Sequence, residues 1–145
     1  VLRVAALKTL FIVTAALEVV TGLGLLAVPA PIALILLGSP LDTPASHVVA
    51  RVAGAALVAL GLACWNARVD LPSRAAAGIT TAMLVYNGAT VAILVYGSIG
   101  LRLSGLGLWP ATGLHLALAI ACVACLRTEH TTARSADNRP PNKLT

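Results

Sequence analysis

The sequence predicts an all-α integral membrane protein: a four-helix bundle with both termini on the cytoplasmic side and a short interfacial segment after the first helix. Three observations predict it. Hydrophobic residues make up 59 % of the 145 positions and charged residues only 10 %, against about 25 % charged in soluble domains, and mean hydropathy is +0.94. Apolar runs of about the 20 residues needed to cross a bilayer recur along the chain. The Lys and Arg residues gather at the ends of those runs. Aromatics are only 3 %, so the apolar mass is Ala, Leu, Val, Ile and Gly, residues that let helices pack closely in lipid.

The first span is placed at about 7–28, stopped by Pro29 and Pro31. It resembles a signal peptide in having Arg3 and Lys8 before an apolar run. The run is too long for a cleavable leader, however, and Glu18 interrupts it, which predicts a retained helix. Ile32 to Leu37 is apolar but too short to cross, and is expected to lie in the interface or tuck against the bundle. A loop with two prolines and Asp42 leads to the second span at 47–66. A turn holding Arg68, Asp70, Pro72 and Arg74 leads to the third at 75–96. After a Gly-rich connection, Trp109-Pro110 opens the fourth span, 109–126, with Pro in the first turn where its missing N–H costs nothing. One transmembrane domain, 1–126, is thus followed by a polar, Pro-containing tail, 127–145, which is expected to be disordered.

Arg3, Lys8, Arg68, Arg74, Arg127, Arg134, Arg139 and Lys143 fall on one side of this arrangement, and only Arg51 and Arg102 on the other. The positive-inside rule therefore puts both termini in the cytoplasm, as in a multi-pass protein of the bacterial inner membrane. Trp65 marks the inner interface, and Tyr96 and Trp109 the outer. The net charge of +5 is read as topology signal, because no basic run has the density of a nucleic-acid patch. Small residues at helical spacing (Ala50 and Gly54, Gly88 and Ala92, Gly113 and Ala117) permit close helix approach, within the bundle or between subunits.

Polar residues inside a span are costly and usually face the bundle interior. Counted at 1.5 Å per residue from the outer ends, Glu18 lies about 15 Å deep, Asn87 about 13 Å, His115 about 9 Å and Arg51 about 6 Å. With Tyr86 beside Asn87, one polar cluster on the bundle axis is expected, in the outer half. Two roles are open to it. It is a structural lock, with Glu18 and Arg51 neutralising each other, or it is a small-ligand pocket in which His115 and Arg51 meet a polar head such as a quinone carbonyl. A proton relay is a third use of the same residues.

His47 and His115 offer haem-type ligation, but their depths differ by a full turn or more, which argues against a haem. Cys64, Cys122 and Cys125 share a depth near the cytoplasmic ends, with Cys122 and Cys125 spaced as C-x-x-C on one helical face. No basic residue or Pro is near enough to activate a thiol, so they read as small hydrophobes rather than a redox group. Three thiols without a fourth ligand make no zinc site, and no metal is expected. There is no Ser-His-Asp set, paired carboxylate or phosphate loop in the sequence.

The chain resembles small bacterial four-helix membrane proteins of the DoxX type. The likeness lies in Glu18, Gly22, Gly24 and Pro29, in Ala50-Arg51-Val52-Ala53-Gly54, and in Leu108-Trp109-Pro110 with His115, over about residues 5–126. The resemblance implies the four-helix fold. It also implies, for some members, sulfur or thiol redox at the membrane and quinones, and for others no assigned role. The expectation is a protein without evident catalytic motif, an accessory or scaffolding subunit of a membrane complex or a small-ligand-binding bundle. Its partners would be lipid and other membrane subunits or further copies of itself. The alternative is a redox-linked protein that binds a quinone-like molecule in the polar cluster.

Overall fold

The computed structural model describes the backbone over residues 2–137 and the side chains over 4–127. Among the described residues there are five helices: α1 (Leu2–Ala27), α2 (Pro29–Leu37), α3 (Pro44–Ala67), α4 (Arg74–Ile99) and α5 (Leu108–Asp137). α1, α3, α4 and α5 are each long and apolar enough to cross a membrane. At 1.5 Å per residue, 24 residues extend about 36 Å, more than the roughly 30 Å hydrocarbon core. Only 17–33 % of each apolar stretch is buried inside the fold. The large outward apolar surface, with Val20, Val52, Ile93 and Ile120 all more than 60 % exposed, is covered by lipid.

Local chemistry sets the helix starts. Thr43 and Ser46 form a reciprocal capping box ahead of α3: Ser46 N–H donates to Thr43 Oγ1 at 3.1 Å, and Thr43 N–H donates to Ser46 Oγ at 3.2 Å. Ser73 caps α4 by accepting from Ala76 N–H at 3.0 Å. α2 is the short apolar piece expected after the first span. It begins on Pro29 and ends at Gly38, whose φ of +71° is left-handed and whose N–H closes on Leu34 O. α5 runs on to Asp137, where a disordered tail was expected from residue 127. No Gly or Pro stands between Gly113 and Pro140 to interrupt it. The remainder of that expected tail lies outside the described residues.

The helices pack as two pairs, α1 on α3 and α4 on α5, which meet along a narrower seam. The first pair is antiparallel and very close. A Cβ on Gly22 would lie 2.6 Å from Gly54 O, and one on Gly54 would lie 2.7 Å from Gly22 O. No side chain fits between these backbones, so the expected small-residue stripe of the second span is used inside the bundle. Gly88 and Gly113 differ: nothing lies within 4 Å of where their Cβ atoms would be. These small residues face outward.

The apolar core fills the half of the bundle that holds the start of α1, the end of α3, the start of α4 and the far part of α5. Leu7, Leu10, Phe11, Ala15, Cys64, Met83, Leu118 and Cys122 meet there. At the opposite end α2 lies across the bundle, tied by Gly107 N–H donating to Ile35 O at 2.8 Å. The polar residues sit between this core and α2.

Candidate functional site

The centre of the site is Asn87 on α4, which is fully buried. Its amide Nδ2 donates to Met83 O, one turn back, at 2.7 Å. Its Oδ1 therefore points away from its own helix and lies 2.7 Å from His115 Nδ1 on α5. The His115 ring stands edge-on to Tyr86, with centroids 5.6 Å apart and planes at 81°. Tyr86 in turn donates its hydroxyl to Glu18 Oε2 on α1 at 3.3 Å. Glu18 is only 3 % exposed. Three helices are thus linked by one chain of polar contacts, Met83–Asn87–His115–Tyr86–Glu18, which crosses the seam between the helix pairs.

Other buried polar groups satisfy themselves within their own helices. Thr80 donates to Ala76 O, Thr90 to Tyr86 O and Thr112 to Leu108 O, each at 2.8–2.9 Å. Among the described residues no buried side-chain nitrogen or oxygen lacks a partner, as a low-dielectric interior requires.

The structure brings four of the five expected cluster residues together: Glu18, Tyr86, Asn87 and His115. Arg51 is the exception. It is exposed, and its Nε donates to Leu26 O at 3.1 Å. The expected Glu18–Arg51 neutralisation is therefore corrected. The Leu26 carbonyl, in the last turn of α1 at the negative end of the helix dipole, offers the guanidinium a nearer acceptor. Glu18 lies eight residues, about 12 Å along the axis, further down α1.

A cavity of about 60 Å³ opens beside the polar chain, lined by Leu17, Glu18, Thr21, Tyr86, Leu114, His115 and Leu118. It adjoins a cleft of about 300 Å³ between α1, α2 and α5, lined by Val20, Ile32, Ile35, Leu36, Gly107 and Ala111. Thr21, Leu114 and His115 border both spaces. The sequence pointed to His115 and Glu18 but not to this cleft. Leu114, Leu118 and Ala111 follow from the helical period around His115, whereas the α2 side chains depend on how that helix folds back.

Among the described residues the three cysteines form no disulfide. Cys64 and Cys122 are completely enclosed in the apolar core, and Cys125 is half-buried, so the thiols belong to the packing below the site. His47 sits in the first turn of α3, half-buried, outside the lining of the cavity that His115 borders. At the core end Arg68 stacks on Trp65, its guanidinium carbon 3.4 Å from the ring centroid, and donates to the Trp65 carbonyl.

Comparison with protein-family models, curated proteins and solved structures gives no significant match to this chain.

Proposed function

We propose that this multi-pass membrane protein is a non-catalytic bundle that holds a small amphiphile, its polar head at Glu18, Tyr86 and His115 and its apolar body in the cleft under α2. One observation carries the reading: a small polar cavity and a larger apolar cleft share three lining residues. A structural lock needs the polar chain but not the space beside it. Ligand sites characteristically combine an apolar wall with a few convergent polar groups. The DoxX-type likeness and the bacterial inner membrane belong to this proposal. So does an orientation with both termini cytoplasmic, supported by the uneven Lys and Arg distribution. In that orientation the cleft opens in the outer leaflet.

A quinone is the less favoured ligand. An apolar cavity of about 150 Å³ is what admits a benzene ring, and the polar cavity has about 60 Å³. A quinone ring would have to stay in the cleft, with an edge toward His115.

The test is native mass spectrometry of the protein in lipid nanodiscs. The proposal expects one bound amphiphile per chain that survives removal of the surrounding lipid and is lost in Ala111→Trp. If only loosely held lipid is released, equally from wild type and variant, the reading is wrong.

A second reading, an accessory subunit or self-associating bundle, is favoured by the outward small residues. Gly88 and Ala92 on α4 and Gly113 and Ala117 on α5 are exposed, and nothing packs on the two glycines. Such faces suit close contact with another helix. The same mass spectra count its partners.

A further inference from the structure

We infer that the site selects amphiphiles whose head donates a hydrogen bond, with His115 Nε2 as the acceptor, and discriminates against heads that can only accept. The inference deepens the amphiphile-binding reading and rests on it.

The proton positions follow from geometry. Asn87 has one orientation that works. With Nδ2 on Met83 O at 2.7 Å, its Oδ1 faces His115; the flipped amide would set two oxygens against each other at that distance. An amide oxygen only accepts, so the partner at 2.7 Å, His115 Nδ1, must carry the hydrogen. A neutral imidazole protonated at Nδ1 has a bare lone pair at Nε2. Asn87, itself fully buried, therefore sets the tautomer of His115 and leaves an acceptor at the other ring nitrogen.

That acceptor is open to a ligand. Nε2 takes no partner among the described residues, nor does the second carboxylate oxygen of Glu18, yet no buried side-chain nitrogen or oxygen there is unpaired. Both atoms are accessible, and both residues line the same cavity. Tyr86, a donor on the wall, spends its hydroxyl on Glu18. Thr21, which lines both spaces, can donate or accept, whereas His115 Nε2 only accepts, so a head without a donor leaves that nitrogen unpaired.

Size completes the class. The cavity of about 60 Å³ takes a hydroxyl or ammonium with a water, not a ring. Taking the roughly 30 Å³ of one water as the size of a methylene group, the cleft of about 300 Å³ holds on the order of ten carbons. Val20 and Ile35 on the cleft wall are 71 % and 57 % exposed, so a lipid-dissolved molecule enters sideways.

The experiment titrates ¹⁵N-histidine-labelled protein in nanodiscs with decan-1-ol or with decyl methyl ether, following the His115 ring nitrogens. The resonance is assigned with His115→Phe. Before ligand, Nδ1 should be protonated and Nε2 bare. Decan-1-ol should shift Nε2 saturably, at a concentration at least tenfold below any effect of the ether, and Ala111→Trp should abolish the shift. Should Ala111→Trp misfold, Ile35→Trp fills the same cleft. Decan-1-amine shares the donor and tells an ammonium source from a hydroxyl one. A protonated Nε2 in the free protein, or an ether that binds as well as the alcohol, overturns the donor-head inference while leaving amphiphile binding intact. Failure of all three probes to reach a folded site overturns both.

Discussion

The guanidinium of Arg51 is bonded to the carbonyl of Leu26, at 3.1 Å, and not to the carboxylate of Glu18. Arg51 thus tethers a helix end. Glu18 and Arg51 should behave as independent sites. In a double-mutant cycle of Glu18→Gln with Arg51→Gln, read as denaturation in mixed micelles, the two effects should add to within about 0.5 kcal/mol. A coupling several times larger would restore the ion pair.

Glu18→Gln alone should fold. The amide oxygen still accepts from Tyr86, and no buried cation is orphaned, so a cost of about 1 kcal/mol or less is expected. Ligand retention in this variant, scored by native mass spectrometry, then reports on the carboxylate separately from the fold.

Asn87→Leu should be costly. It strips His115 Nδ1–H of its acceptor inside the bundle, worth about 1–3 kcal/mol. Adding His115→Phe removes the orphaned donor as well, so the double variant should recover part of the loss. A double variant weaker than the sum of the singles would contradict the contact at 2.7 Å.

The glycines separate by face. Gly54→Ala sets a methyl 2.7 Å from the Gly22 carbonyl oxygen and should cost about 1–3 kcal/mol, the usual range for overpacking. Gly88→Ala has open space around it and should be neutral or stabilising by up to about 1 kcal/mol, since Gly is a poor residue inside a helix. Thermal unfolding of the two single variants checks the contrast. A destabilised Gly88→Ala with unchanged monomer unfolding in detergent would instead locate a helix contact between subunits.

The spans were legible because lipid imposes a simple rule: about 20 apolar residues, then a stop. Pro29 carried a stop and Pro110 a start, while the caps at Thr43 and Ser73 emerged only in the structure. The polar cluster was legible in three of its helices because Glu18, Asn87 and His115 are costly in lipid, and cost drives them inward. What failed was the partner of Arg51. Depth is readable from residue counts, but a backbone carbonyl acceptor at the end of α1 has no sequence letter. The cleft failed for a related reason: it exists only because α2 folds back over the gap between α1 and α5. The run of α5 past Arg127 was missed because polar composition was taken as loop, although the segment to Asp137 lacks helix breakers.

The link between Gly107 N–H and Ile35 O is made by main chain on both sides. The tie that holds α2 over the cleft is therefore made without calling on any particular side chain. Substitutions at lining residues away from it, such as Val20 or Ala111, can retune what is admitted while the tie is kept, so architecture and selectivity are free to change separately.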